Sequence, residues 1–190
     1  QLDQAGMRIS ELQQANDQAA LSRRSLEDEM RTALESKDVT ISRLQGRLTV
    51  NILDRVLFDS GEAQLKPDGE YVLRKVAKFL TQHPALKVHV IGHTDNIPPG
   101  KALKARFPSN WELSAARATN VARALQEGSG LDPAMLEAVA LGEHRPVAAN
   151  DSAAGRASNR RIEIILYPRI PSTRDELVPV VDRGSREKPP

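Results

Sequence analysis

Residues 1–46 carry apolar side chains at heptad spacing and contain no proline and no aromatic residue; the apolar positions are Leu2, Ala5, Ile9, Leu12, Ala19, Leu26 and Met30. Polar Asn16 and Arg23 fall on the same seam. After Met30 the spacing steps by four, which indicates a stutter, and the pattern then continues to Leu48. The segment is predicted to be a helical stalk that forms a coiled coil, most simply a parallel dimer. The alternative is a single amphipathic helix docked on the domain or on a partner.

From residue 47 onwards the pattern alternates between strands and helices. Strands are predicted at 48–58, 86–95, 138–146 and 159–168, and amphipathic helices at 71–80 and 111–126, with a helical turn at 131–138. The order β-α-β-α-β-β predicts an α+β domain at 47–168, with helices packed on a mixed sheet. We expect the first two connections to be right-handed crossovers, and the last two strands to pair antiparallel.

Residues 169–190 contain four prolines and no helical period. They are predicted to form a flexible, proline-rich tail. The run ELVPVV at 176–181 is its only apolar patch, and the alternative is that this run pairs with a sheet edge.

Composition removes several classes of function. A net charge of +2 gives no basic surface for nucleic acid, and an aromatic content of 3% gives too few rings on which bases could stack. The absence of cysteine excludes disulfides, thiol catalysis and cysteine-ligated metals. The four histidines show no zinc-binding spacing, and we expect neither a metal nor a cofactor.

No stretch approaches the roughly 18 consecutive apolar residues of a membrane span. The sequence opens at Gln1 without a basic-then-apolar signal segment. We therefore expect a membrane anchor or a signal upstream of Gln1.

Three short motifs carry candidate chemistry. In GHTD, Asp95 follows a strand and is placed either to face a cation or to bond its own turn. On the second helix Arg117 shares a side with Leu113, where a guanidinium can hold a carboxylate or remain solvated, while Trp111 is expected to pack at the helix start. Arg160 and Arg161 open the last strand, so only one of them can point into a given cleft.

Together, in this order, VLFDSGEAQLKPDG, VHVIGHTDN, SNWELSAARATNVARAL and GRASNRRIEIIL resemble the OmpA-like peptidoglycan-binding domain. The long proline-containing loop before SNWELSAARA is most similar to the MotB-like branch of that family. The resemblance covers residues 48–168 and implies the same β-α-β-α-β-β fold.

The resemblance also implies a binding site for the diaminopimelate of the peptide stem. It assigns the ammonium of the ligand to Asp95 and the carboxylate to Arg117. The other positions that match the family's cleft are Thr94, Asn110, Leu113, Ser114, Asn159, Arg160, Asp59 and Ser60. Loop 96–109 is long and basic, and we expect it either to cover this cleft or to contact the glycan.

The function implied is non-enzymatic anchoring to peptidoglycan in the periplasm, as a homodimer through the coiled coil, tethered to the inner membrane by an upstream segment. The context is either a flagellar stator or another envelope protein of the same family. The alternatives are a cell-wall hydrolase, which the lack of a paired-carboxylate motif disfavours, and a cytoplasmic coiled-coil scaffold.

Overall fold

The computed structural model describes residues 27–44, 47–84 and 86–168, together with isolated positions before residue 27. Most of the coiled coil predicted for the N-terminal segment, and all of the predicted tail at 169–190, lie outside the described residues. Both stay predictions.

One five-stranded sheet organises the domain. Its strands, in chain order, are β1 (Val39–Leu44), β2 (Arg47–Leu53), β3 (Leu86–His93), β4 (Leu136–Gly142) and β5 (Arg161–Pro168). In space the order is β1-β2-β5-β3-β4, in which only the β3–β4 pair is parallel. The predicted mixed sheet is therefore confirmed.

The predicted antiparallel pair between the last two strands is wrong. Strand β5 lies between β2 and β3 and pairs antiparallel with both, so β4 has only β3 as a neighbour. The reason is burial: Ile162, Ile164 and Leu166 are all buried. In a central position these side chains have neighbours from the strands on both sides. The backbone N–H and C=O groups along both edges of β5 are then hydrogen-bonded as well.

Strand β1 replaces the last part of the predicted helical stalk. The helical segment α1 covers residues 27–34, and the Ser36 hydroxyl then accepts hydrogen bonds from the N–H groups of Asp38 and Val39. In β1, Val39 and Ile41 are buried two residues apart. The β-branched run Val-Thr-Ile favours a strand, and the heptad spacing through it was coincidental.

The remaining helices are α2 (Asp54–Leu57), α3 (Pro67–Gln82), α4 (Asn110–Ser129) and α5 (Ala153–Asn159). Helix α4 begins with a capping box in which Ser109 and Glu112 satisfy each other's backbone N–H groups, and it ends at Gly130 in the left-handed conformation. The predicted turn is a 3-10 helix at Pro133–Met135, capped by the Asp132 carboxylate.

Helices α3 and α4 pack on one face of the sheet and close the core. The fully buried side chains include Val76, Leu80, Val121, Leu125, Val50, Ile52, Val88, Val90, Ile162 and Ile164. Met30 and Leu34 of α1 join the same core. None of the helices in the described part of the chain has the length and apolar character that crossing a bilayer requires. Around this core, α2, the end of β3, the start of α4 and the start of β5 meet at one edge of the sheet.

Candidate functional site

A cleft of about 580 Å³ lies at this edge of the sheet. Its walls come from α2 and the loop that follows it, from residues 94–103 after β3, from the first turns of α4, and from Arg160 before β5. Parts of the chain that are distant in sequence thus contribute to one concave surface, as is usual for ligand sites.

Asp95 is 6% exposed, and its two carboxylate oxygens have different partners. The Oδ1 atom accepts the backbone N–H of Ile97 at 3.0 Å, and the Oδ2 atom lies 2.5 Å from Nη1 of Arg160. The structure confirms that Asp95 bonds its own turn, while its contact with a ligand cation stays a prediction, because the cation beside it is the protein's own Arg160. One oxygen holds the turn, and the other faces a cation.

Arg117 lies at the cleft but is only 3% exposed. Its Nη1 atom lies 3.0 Å from Oδ1 of Asp54, and its Nε donates to the carbonyl oxygen of Glu62 at 2.9 Å. The guanidinium also stands 5.0 Å above the ring centroid of Phe58. Arg117 is thus a buried cation that joins α4 to α2 and its following loop.

Burial sets the pKa values of this ion pair. Loss of solvent raises the pKa of Asp54, while Arg117 and Arg160 act in the opposite direction. Loss of solvent likewise lowers the pKa of Arg117, and Asp54 opposes that shift. The pair is therefore one whose charges depend strongly on each other.

Two carboxylates and two guanidiniums face one another in this cleft as the pairs Asp54–Arg117 and Asp95–Arg160. The four charges sum to zero. The Arg160 side chain is the accessible member, with 38% of its surface exposed. These four groups can give up the ion pairs between them and form ion pairs with the ammonium and the carboxylate of a zwitterion instead. The net charge of the cleft does not change in this exchange.

Asn110 and Thr94 shape the cleft rather than carry charge. The side-chain amide of Asn110 donates to the carbonyl oxygens of Asp95 and Ile97, both at 3.2 Å, and to the carboxylate of Glu143. The backbone N–H of Thr94 donates to the Gly142 carbonyl, and its hydroxyl donates to the Asp95 carbonyl. These bonds fix the turn that presents the Asp95 carboxylate.

Ser114 is fully buried and lies outside the cleft lining. Its hydroxyl donates to the Trp111 carbonyl and accepts the N–H of Gly142, so it ties α4 to the end of β4. Leu113 does line the cleft, and it packs in a small apolar cluster with Ala63 and Phe107.

Asn159 also lies outside the cleft lining. It is fully buried, and its side chain is hydrogen-bonded to the loop before α5. Its Oδ1 atom accepts the N–H groups of Val147 and Ala148, and its Nδ2 donates to the Ala148 carbonyl and to Asn150. All of its polar capacity is used within the protein.

The two adjacent arginines point to opposite sides, as predicted. Arg160 lines the cleft, whereas Arg161 is buried and binds Oε1 of Glu163 at 2.5 Å. Glu163 also lies 3.4 Å from the buried ring of His93. The proximity of His93, together with the ion pair with Arg161, lowers the pKa of Glu163 to about 2.

Loop 96–109 forms one wall of the cleft and touches the opposite rim. A side chain at Gly61 would meet Cδ1 of Leu103 at 2.6 Å, and Arg106 pairs with Glu62 at 3.1 Å. Asp59 and Ser60 are exposed on that rim and line the cleft. The loop therefore forms part of the cleft wall, and whether it covers the cleft or contacts the glycan stays a prediction.

Sequence reasoning missed Asp54 and Glu143. Asp54 had a usable signal, because it is a single acid inside the apolar run VNILDRVLF. An acid in such a run is buried only when a cation pairs with it. Glu143 had no comparable signal, because it follows a glycine in an ordinary turn. Among the described residues, no cluster of three or more histidines or acids is arranged to hold a metal.

The family model described as "OmpA family" matches residues 57–160. The chain belongs to the OmpA family. The match covers the cleft residues from Phe58 to Arg160, and it leaves Asp54 just outside.

Several relatives of this OmpA-family chain are known. Motility protein B of Bacillus subtilis is 37% identical over 122 residues, which are 64% of this chain and 46% of that protein. The probable lipoprotein YiaD of Escherichia coli is 37% identical over 142 residues, 75% of this chain and 61% of that protein. The chain thus spans about half of the length of these relatives.

Solved structures of the same OmpA-type fold cover more of the chain. A putative MotB-like protein from Desulfovibrio vulgaris superposes with a TM-score of 0.72 at 32% identity, over 80% of this chain and 98% of that one. The cell wall anchor of the type VI secretion system from Pseudomonas aeruginosa superposes with a TM-score of 0.65 at 35% identity, over 77% and 96%.

Proposed function

We propose that this OmpA-family domain binds peptidoglycan without cleaving it, and that it grips the diaminopimelate of the stem peptide in the cleft around Asp95. Its role is to anchor an envelope protein or complex to the cell wall. Support comes from relatives whose names describe a cell wall anchor and a motility protein.

The observation that carries the proposal is the presence of two carboxylate–guanidinium pairs, Asp54–Arg117 and Asp95–Arg160, in one cleft. The free end of diaminopimelate is an amino-acid zwitterion, with one ammonium and one carboxylate. The ammonium would take the place of Arg160 beside the Asp95 carboxylate. The ligand carboxylate would then be held by the displaced Arg160, with Arg117 behind it.

This exchange predicts that one site binds only moderately. Each charge-assisted hydrogen bond contributes about 1.5 to 3 kcal/mol, but the ligand must displace an existing ion pair. Two domains that engage one polymer would gain about 10² to 10⁴-fold in avidity. A homodimer through the predicted coiled coil would supply that second domain, and an inner-membrane tether upstream would place both in the periplasm.

Within this function the stator context is one of two candidates. The similarity to Motility protein B and to a MotB-like structure favours a stator-type anchor. The similarity to a probable lipoprotein favours another envelope role. Both use the same wall-binding site, so the proposal for the cleft does not depend on the choice.

The test is co-sedimentation of the protein with purified sacculi, using Asp95→Asn and Arg160→Gln. Asp95→Asn keeps an acceptor for the Ile97 N–H and removes the charge. The matched controls are Glu127→Gln and Arg123→Gln, which change exposed charges on α4 away from the cleft lining.

We expect Asp95→Asn to weaken pelleting at least about tenfold, from the loss of one charge-assisted bond, while the controls pellet like the parent. No soluble wall fragments should appear. Pelleting of Asp95→Asn and Arg160→Gln at parental strength would reject the site, and release of fragments would reject a non-catalytic role.

A further inference from the structure

The only tryptophan of the chain is exposed beside the cleft. Trp111 has 47% of its surface exposed, and its ring centroid lies 4.9 Å from that of His144, at an angle of 31°. Trp111 thus packs at the helix start, as expected, but its contact is with His144 and about half of its surface stays open to solvent. Tryptophan is highly buried on average, and aromatic rings that stay at the surface are enriched where a partner binds.

Asn110 connects this aromatic pair to the cleft. It precedes Trp111 on α4, and its amide contacts Asp95 and Ile97 on one side and Glu143 on the other. Glu143 is the neighbour of His144 in the turn after β4. Trp111 and His144 therefore stand on the rim next to Asn110, held by the same bonds that shape the charged site.

The length of the stem peptide brings a sugar to this rim. In peptidoglycan two residues separate diaminopimelate from the sugar ring. At about 3.3 to 3.6 Å per extended residue these two residues span roughly 7 Å. A ligand with diaminopimelate beside Asp95 would therefore carry its sugar to the edge of the cleft.

We propose that Trp111 and His144 form a sugar-binding platform, on which the C–H face of an N-acetylated sugar of the glycan strand stacks. The C–H groups of a pyranose ring carry partial positive charge and complement the negative face of the indole. The platform rests on the proposed function and extends it, because the domain then binds the stem peptide and the glycan strand together.

The test uses the fluorescence of the full chain, which reports on Trp111 because it is the only tryptophan. Two probes are titrated: the stem tripeptide ending in diaminopimelate, and the same tripeptide on its N-acetylated disaccharide. We expect the disaccharide probe to shift the emission and to bind about fivefold more tightly than the tripeptide, as one stacking contact allows. Equal shifts and equal affinities for the two probes would overturn the platform.

Variants separate the platform from the charged site. These variants lack the only tryptophan, so titration calorimetry measures their binding. Trp111→Ala should remove the preference for the disaccharide probe and leave tripeptide affinity unchanged, and Trp111→Phe should restore part of the preference. The control is Tyr71→Ala, which removes another exposed aromatic, on α3 and outside the cleft lining. Equal weakening of both probes by Trp111→Ala would assign Trp111 to folding and overturn the platform. A parent that binds neither probe would refute the proposed function itself.

Discussion

The guanidinium of Arg117 lies 3.0 Å from the carboxylate of Asp54, at the base of the cleft. Family resemblance assigns Arg117 to the ligand, but its closest charged partner belongs to the protein. Of the guanidiniums in the two ion pairs, Arg160 is the accessible one, and it holds Asp95. Arg117 therefore has a structural role as well, and substitutions at this position test folding and binding at the same time.

The first prediction concerns this buried pair. Arg117→Ala should lower the free energy of unfolding by about 3 to 5 kcal/mol, because it leaves the Asp54 charge buried without its partner. Chemical denaturation of the parent and the variant measures the change. Adding Asp54→Asn to Arg117→Ala should recover part of the loss.

The control for that pair is Arg123→Ala, an exposed arginine of the same helix, which should change stability by less than about 0.5 kcal/mol. A loss no larger for Arg117→Ala than for Arg123→Ala would show that the Asp54–Arg117 pair does not stabilise the fold.

The second prediction concerns the close approach of β3 and α4. A methyl group at Gly92 would stand 2.3 Å from the carbonyl oxygen of Ser114, whereas one at Gly100 would meet nothing within 4 Å. Gly92→Ala should therefore cost about 1 to 3 kcal/mol, because backbone must move to admit it. Gly100→Ala is the matched control, and thermal unfolding compares the two. Equal melting temperatures would contradict this packing.

The third prediction separates Asn159 from the ligand site. Asn159→Ala should lower stability by about 1 to 3 kcal/mol, because it leaves the N–H groups of Val147 and Ala148 without their acceptor. Below the unfolding transition, the folded protein should still pellet with sacculi like the parent. A variant that keeps its stability but loses pelleting would instead assign Asn159 to the ligand.

The fourth prediction is a pH dependence carried by Glu163. Its pKa in the folded protein is about 2, below the ordinary value of 4.5, because His93 and Arg161 stabilise the carboxylate. The resulting stability is fully present above pH 4.5 and is lost as the pH falls through about 2. The loss should be on the order of 2 to 3 kcal/mol.

Glu163→Gln should remove most of that acid-induced loss, as measured by denaturant unfolding at pH values between about 5 and 2. Glu127→Gln, at an exposed carboxylate, serves as the control and should keep the parental profile. A Glu163→Gln profile as steep as that of the parent would contradict the assignment.

Local pattern was sufficient for the long elements. Helices α3 and α4 and strands β3 and β5 repeat their apolar positions over several turns or pleats, and the Ser109 cap of α4 is visible in the sequence. Strand β1 was missed because the heptad spacing continues through Ile41 and Leu44, while the run from Val39 to Ile41 suits a strand equally well, so that the pattern alone could not choose. Helices α2 and α5 are too short to show a period.

Pairings between distant residues were beyond sequence reasoning. The position of β5 between β2 and β3 depends on which edges remain unpaired in the folded sheet. The contact of Arg117 with Asp54 likewise depends on how α2 packs against α4, which no local spacing records. The opposite facing of Arg160 and Arg161 was predictable because the period of a strand is two.

The central claim is that the cleft around Asp95 recognises both charges of the diaminopimelate end. Titration calorimetry of the parent with two stem tripeptides tests it most directly. One tripeptide ends in diaminopimelate and the other in lysine, which keeps the ammonium and lacks the distal carboxylate. The account predicts that the lysine tripeptide binds about 10- to 100-fold more weakly, from the loss of one charge-assisted contact. Equal affinity for the two peptides, or binding of neither, would contradict it.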